Sequence, residues 1–480
     1  MKMKYTCLMM MAMLLPGLGS YSQTTFHKIA IDPAKSNITG IYAGDLNNDG
    51  YMDIAVCENA NNSIVIWLHN EDDSLSYTKH IVDDGFPHPL YLVIKDIDKD
   101  GKQDILASSS QGNSVAWWKN AGGNPIQWTK HPIDSTLPNA HAVDVADFNE
   151  DGFNDILATS SGSTQLVWYQ SDSANPPNWT KKMVDPNFPN SQSAMAVDMD
   201  NDSHMDVVAS SSNGNEISWW RNKGGQPLLW EKFVIANSLS GVDFPHWIQA
   251  VDMDNDGDLD VLGSMYVTGE IAWWENAVAA SGNWPKNVVI GNFLGVLNVQ
   301  AADIDNDSWV DVVGTSTYLR DVTWWKNISN SENWTEYPID GNFKGAWPVF
   351  ICDMDNDGDN DVIAGADVPT GNSPLTIWQN MLLTAGINET GQNGKNNSLA
   401  IFPNPFNKTT TIDFNIDKPG LVKLCVCNSQ GILIKELVNQ TITAGSHTIT
   451  FDGTILKSGI YTIRIETDGK VIIGKAVLVK

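Results

Sequence analysis

Acidic residues recur in this chain at alternate positions of a short turn, and the turn itself recurs at a nearly fixed interval. Seven segments place side-chain oxygens at positions one, three, five and nine. They are Asp45, Asn47, Asp49, Asp53; Asp96, Asp98, Asp100, Asp104; Asp147, Asn149, Asp151, Asp155; and Asp198, Asp200, Asp202, Asp206. Then come Asp252, Asp254, Asp256, Asp260; Asp303, Asp305, Asp307, Asp311; and Asp353, Asp355, Asp357, Asp361. The first residues are separated by 51, 51, 51, 54, 51 and 50 positions. A period of this length means that one supersecondary unit is copied and that each copy buries its apolar surface against the next.

Two aromatic columns keep the same step. Phe26, Tyr77, Trp128, Trp179, Trp230, Trp284 and Trp334 lie 19 residues before their acidic turns, except Trp230, which lies 22 before. Trp67, Trp118, Tyr169, Trp220, Trp274 and Trp325 lie 14 residues after the last Asp of the turn, and Trp378 lies 17 after it. Within a unit the runs are short, rich in Val, Ile, Trp and Thr, and bounded by Gly, Asn, Ser or Pro, as strands are. Residues 128–171 carry four of them. Four strands in about fifty residues indicate the blades of a β-propeller. The chain opens on an aromatic-led strand that elsewhere is the outermost of its blade, and the last unit stops before its own. Residues 26–32 are therefore expected to pair with the strand at 375–378 and complete a seventh blade. The all-β reading is a seven-bladed ring over residues 23–380.

The acids converge on a cation. Calcium takes six to eight oxygens at about 2.3–2.6 Å, and alternating carboxylates on a tight turn supply them where Gly at position six adopts positive φ. The helical calcium-binding hand needs a Glu at position twelve and flanking helices. Both are missing, so the turn is a calcium-binding hairpin between the first and second strands of a blade. Ser203 and Ser308 stand where other copies have Gly, and Asn47 and Asn149 where others have Asp, so these four sites are expected to be weaker. The chain has 29 Lys and Arg against 57 Asp and Glu, a formal charge of −28. Seven structural calcium ions would halve it. That charge excludes roles that depend on gripping nucleic acid or an anionic membrane.

Lys2 and Lys4, an apolar run from Tyr5 through Leu15, Pro16 and the small residues before Gln23 form the three parts of a secretory signal peptide, residues 1–22. No later run reaches the length of a transmembrane helix. Cys57, Cys352, Cys425 and Cys427 are too few for a disulfide framework and lack zinc spacing, so they read as small core or surface residues.

Asp-x-Asp-x-Asp-Gly-x-x-Asp followed by an apolar pair, copied about every fifty residues, resembles the FG-GAP/VCBS repeats of integrin-α-type propellers and of certain calcium-containing propeller lectins. The resemblance covers residues 24–380. It implies a seven-bladed ring with up to seven structural calcium ions in its hairpins. It implies no particular ligand, because that fold hosts adhesion, sugar binding and accessory domains of enzymes.

Composition shifts to Gly, Asn, Thr and Gln over 381–398, a linker. Residues 399–480 then alternate apolar and polar, as half-buried strands of a small β-sandwich do. This segment resembles the type A C-terminal sorting domain of the type IX secretion system. The matching residues are Pro403-Asn404-Pro405-Phe406, the turn at Gly431, Ser458-Gly459-Ile460-Tyr461 and Val477-Leu478-Val479-Lys480. The resemblance implies the type IX machinery as partner, a secreted or surface-attached product, and a tail that is often removed. A plain carbohydrate-binding sandwich is the other reading of these strands.

Strand alternation puts the acidic turns on one face of the ring. The other face carries the second-to-third loops, the connections between blades and both three-residue insertions, between Trp230 and Asp252 and between Asp361 and Trp378. His88, His141, Gln192, His246, Trp247, Asn298 and Trp347 lie in the connections, and Tyr266, Tyr318 and Arg320 in the loops. Aromatic faces beside amide and imidazole groups suit sugar rings. The repeated Trp pairs read as core between blades. The reading is a binding or adhesion module for a glycan or surface protein, without catalysis, since no carboxylate or nucleophile constellation accompanies the histidines. A polysaccharide lyase or hydrolase on the same ring, and a purely structural surface component, stay open.

Overall fold

The computed structural model describes residues 24–32, 37–70, 75–225, 227–238, 241–277, 283–328, 333–367, 375–382, 399–402, 406–416, 418–428, 433–454, 456–457, 459–467 and 470–478. The expected signal segment, most of the linker and the insertion after Asp361 lie outside them. Among the described residues, 24–382 form seven four-stranded antiparallel sheets. The innermost strands are Ile38–Gly44, Pro89–Lys95, Ala140–Ala146, Ser191–Val197, Pro245–Val251, Val296–Ala302 and Ala346–Cys352. Each touches the next in this order and the last touches the first, so the sheets close a ring around a hub.

Position within the sheet explains the composition of each strand. The second strands, such as Asp104–Ser109 and Asp311–Ser316, are buried along their whole length, so they are apolar or small at both parities. The outermost strands, such as Trp128–Asp134, mix exposed and half-buried residues. Between sheets lie the paired aromatics. Trp117, Trp118, Trp220, Trp274, Trp325 and Trp378 are almost wholly buried, in agreement with a core role. A lysine column missed by the reading above covers their outer edge. Lys79, Lys130 and Lys232 lie over Trp67, Trp118 and Trp220, and Lys181 over Tyr169. These ammonium groups also reach Asp32, Asp83, Asp185 and Asp134, the ends of the preceding blades' outer strands. A cation held over an aromatic face in this way adds attraction beyond area burial.

The ring closes as the order of the columns predicts. Phe26–Asp32 pairs antiparallel with Leu375–Asn380, from Phe26 opposite Asn380 to Ala30 opposite Thr376, and becomes the outer strand of the last sheet. At the hub each innermost strand is a sheet edge, and neighbouring side chains satisfy part of its backbone. Asp144 accepts from the Ala196 N–H at 2.9 Å, Gln249 from Ala301 at 2.8 Å and Gln300 from Ile351 at 2.9 Å. Bonds of this kind cover edges that otherwise invite another chain.

Residues 399–478 form a three-stranded sheet and a four-stranded sheet. Ile412, Phe414 and Phe451 of the first and Val422, Leu424, Ile463 and Ile465 of the second share one buried cluster, which makes a sandwich. Cys57 and Cys425 are buried and Cys352 is partly buried. No helix among the described residues is long and apolar enough to cross a membrane.

Deleting residues 24–32 exposes the edge of the last sheet and removes the closing ladder. The shortened chain is expected to lose its single cooperative melt and to self-associate, measured by calorimetry and size-exclusion chromatography; a monomer with the parental Tm contradicts this closure.

Candidate metal loops and the opposite face

The seven acidic turns share one geometry, built mostly by backbone donors. The first carboxylate accepts from the N–H groups of positions five and six: Asp96 takes Asp100 at 3.0 Å and Gly101 at 2.9 Å, and Asp353 takes Asp357 at 3.0 Å and Gly358 at 2.8 Å. Position six is left-handed throughout, with φ from 73° at Ser203 to 99° at Gly257. Ser203 and Ser308 adopt that conformation despite their Cβ. Position four is left-handed too, at Asn48, Lys99, Glu150, Asn201, Asn255, Asn306 and Asn356. Asn tolerates this region better than most residues, and its recurrence there was a legible signal that the acid spacing overshadowed.

The ninth carboxylate behaves differently from the other three. Asp53, Asp104, Asp155, Asp206, Asp260, Asp311 and Asp361 have no exposed surface. One oxygen accepts from position two of its own turn, as from Met253 to Asp260 at 2.9 Å. The other accepts from the end of the third strand, as from Asn276 to Asp260 at 2.8 Å. Burial, with neighbouring carboxylates adding to it, pushes Asp53, Asp104, Asp155 and Asp260 up to about 7 and Asp311 and Asp361 to about 8. Asp206 is raised to about 6.

The donor set fits a divalent cation in five turns. Oxygens of Asp96, Asp98 and Asp104 lie within 4.8 Å of one another, as do those of Asp198, Asp200 and Asp206; Asp252, Asp254 and Asp260; Asp303, Asp305 and Asp311; and Asp353, Asp355 and Asp357. Within these turns Oδ1 of Asp98, Asp200, Asp258 and Asp305 is buried without a hydrogen-bond partner. An unsatisfied buried carboxylate oxygen is costly, and a cation is one way to satisfy it. In the remaining two turns the third position donates instead: Asn47 Nδ2 bonds Asp49 at 2.7 Å and Asn149 Nδ2 bonds Asp151 at 2.9 Å. Where a cation binds, it would be held by the carboxylates at positions one, three, five and nine, and its charge would offset their repulsion.

A column of asparagines after the Trp pairs joins the turns to one another. Nδ2 of Asn120, Asn222, Asn276 and Asn380 donates to the second-position carbonyl of the preceding blade's turn: Leu46 at 2.8 Å, Phe148 at 2.8 Å, Met199 at 3.2 Å and Ile304 at 2.7 Å. The Trp-Trp-x-Asn string was visible in sequence, but a partner more than seventy residues away was not.

On the opposite face the ten expected ligand residues separate into groups. His88 is held in its turn, its Nδ1 2.9 Å from Asn59 Oδ1. Buried Gln192 donates to Asn190 at 2.8 Å and Ser212 at 3.1 Å. His141, His246, Trp247, Asn298 and Trp347 gather at the hub, with the two imidazoles 5.9 Å apart and Trp347 6.4 Å from His246. The cavity they line has about 20 Å³ of room, enough for a water and not for a sugar ring. Nδ1 of His246 bonds the Leu297 carbonyl at 2.9 Å, while Nδ1 of His141 and Oδ1 of Asn298 have no protein partner. Burial drives His141 down to about 3, with His246 adding to it, and His246 to about 4. Tyr266 continues the aromatic contact outward, 6.4 Å from His246, and its hydroxyl bonds that of Tyr318 at 2.7 Å. Tyr318 is 65 % exposed, and Val267, Leu294, Leu319 and Arg320 are exposed around it. A Cβ at Gly295 would sit 2.7 Å from the Tyr318 ring, so Gly is what lets that ring lie flat there.

Comparison with known proteins agrees with this architecture. Residues 45–107, 96–158, 147–209, 198–263 and 303–364 match the FG-GAP-like repeat, and residues 400–480 match the secretion system C-terminal sorting domain. The chain belongs to the FG-GAP-like repeat family and carries a type IX sorting domain that directs it to the cell surface or the medium. Solved structures similar to it include a protein from Lactobacillus plantarum, at 13 % identity and TM-score 0.45 over 63 % of this chain and 84 % of that one. Another is PorZ, a surface component of the type IX secretion system of Porphyromonas gingivalis, at 11 % identity and TM-score 0.45 over 89 % of this chain. This chain spans 58 % of that protein's length. No curated protein sequence is matched.

Two outcomes are expected. Asn222→Ala removes a fully buried amide and leaves the Phe148 carbonyl bare, a loss of about 1–3 kcal/mol seen as a lower denaturant midpoint; an unchanged midpoint contradicts the bridging role. The second concerns pH. The unfolded chain protonates His141 and His246 near ~6.5, while the folded hub resists to about 3 and about 4, so their contribution to stability falls as the pH drops below ~6.5. The ninth-position carboxylates, raised above their unfolded values, act in the opposite sense without a cation. His141→Gln is therefore expected to shift the change in Tm from roughly pH 7 to pH 4.5 upward relative to the parent; a parallel profile contradicts it.

Proposed function

We propose that this exported propeller is a calcium-stabilised binding module that holds a surface glycan on the face opposite its acidic turns. The observation that carries the reading is the Tyr266–Tyr318 pair: two rings 5.6 Å apart with joined hydroxyls, one of them exposed, beside the exposed Arg320. Aromatic faces take the apolar C–H side of a sugar, and the paired hydroxyls and the guanidinium reach its rim. His141 and His246 support the same site from beneath by packing and do not reach ligand, because the hub cavity is too small. Calcium is the ion of choice for the turns, since every donor is a hard oxygen.

Binding and not turnover is the proposed activity. The exposed side chains around Tyr318, those of Val267, Leu294, Leu319 and Arg320, are aliphatic and guanidinium, which recognise and do not transfer protons at neutral pH.

A glycan array probed with the full chain, with and without chelator, tests this. Tyr318→Ala is expected to weaken a bound glycan about tenfold or more, equivalent to at least ~1.4 kcal/mol, while Ile81→Ala on the outer wall leaves it unchanged. Depolymerisation of any polysaccharide, or equal binding by the Tyr318 variant, overturns the reading.

A further inference from the structure

The residue at the end of each blade's third strand, just before the asparagine column, stands beside the acidic turn of its own blade. In chain order it is Leu68, Lys119, Gln170, Arg221, Glu275, Lys326 and Gln379. In three blades it is basic and reaches into the turn. Lys119 Nζ contacts Asp98 Oδ2 and lies 2.8 Å from Asp100 Oδ2. Arg221 places Nε 2.7 Å from Asp200 Oδ2 and Nη2 2.9 Å from Asp202 Oδ2. Lys326 Nζ contacts Asp305 Oδ2 and lies 2.8 Å from Asp307 Oδ2. In every case the partners are positions three and five, two of the four carboxylates a divalent ion would need.

The other four blades follow the same logic with different residues. Leu68 and Gln170 carry no charge, and their turns have Asn47 and Asn149 at position three. Gln379 donates to Asp355 at 2.6 Å and itself brings no charge to that turn. Glu275 adds a further acid beside Asp254. Third-position charge and third-strand charge are thus matched blade by blade, except in the turns that begin at Asp252 and Asp353.

We infer that Lys119, Arg221 and Lys326 are resident cations that close the Asp96, Asp198 and Asp303 turns without a divalent ion, so that calcium concentrates at the Asp252 and Asp353 turns. The side chain of Asp98 is only 4 % exposed, and a charge so buried draws a counter-cation whether or not metal is present. The tethered ammonium or guanidinium takes Oδ2 of Asp98, Asp200 and Asp305, leaving Oδ1 without a hydrogen-bond partner, and its charge repels an incoming divalent ion. The seven turns, alike in backbone, therefore divide into self-neutralised and metal-dependent classes. The inference rests on the reading that the unneutralised turns take calcium.

The test is to count bound Ca²⁺ on the full mature chain by native mass spectrometry and equilibrium dialysis, and to record Tm in chelator. The variants are the single Lys119→Gln and the triple Lys119→Gln, Arg221→Gln, Lys326→Gln. Each substitution is expected to add one bound ion, with roughly tenfold or greater tightening at that turn as the competing charge is removed. In chelator the triple variant is expected to melt below the parent, and added Ca²⁺ to restore it. Lys79→Gln, whose contacts are Asp32 and Glu58 outside any acidic turn, serves as the control and leaves the count unchanged. A parent that loads all five carboxylate turns equally, with variants that bind no more, overturns the inference, as does a chelator Tm indifferent to the single Lys119 change. If neither parent nor variant binds Ca²⁺ but the variants melt lower, the calcium reading falls and the resident cations stand.

Discussion

The buried carboxylate at the ninth position of each turn is the interaction on which the rest of the ring depends. With one oxygen it ties the start of its turn, and with the other it ties the end of the third strand, so a single side chain fastens the hairpin to its own sheet. The first carboxylate completes the turn from the other side by accepting two backbone donors. Bonds to backbone N–H favour the ionised form, while burial and the nearby acids oppose it, and burial wins. The turn is thus a well-ordered carboxylate cluster, and the negative charge it carries is balanced from outside the carboxylates themselves. In three blades a basic side chain at the end of the third strand already stands beside the carboxylates at positions three and five.

Closure distributes that local order around the molecule. The asparagines after the Trp pairs link four of the turns to the preceding one, hub side chains cover part of the innermost edges, and the first strand of the chain completes the last sheet. Backbone bonds tie the opposite face as well, as from the Ser110 N–H to the His88 carbonyl and from the Thr317 N–H to the Gly295 carbonyl, and exposed aromatic and aliphatic side chains stand there around Tyr318.

How far the sequence could be read depended on the range of each interaction. The acid spacing, the aromatic columns and the strand lengths are local, and they led to the all-β ring, the closing strand and the sorting sandwich. The lysines over the indoles and the asparagines bridging adjacent turns were present as columns too, but their meaning lies in partners one blade away. The ligand face shows the limit most clearly. His88 sits in a connection as the pattern suggested, but Gln192 and His141 open innermost strands; the first two are held by hydrogen bonds to neighbouring loop residues and the third is half-buried at the hub. Exposure is a property of the folded neighbourhood, and spacing does not encode it.

The sequence by itself determined the repeat, its period, the oxygen positions of the turns and the export tail, because each is written in residue types and their spacing along the chain. Tertiary structure alone decided which carboxylates have a cation already beside them, how narrow the hub is, and that Tyr266 and Tyr318 meet. Those facts depend on how neighbouring strands and sheets are spaced, and that spacing is set by buried side chains packing between them.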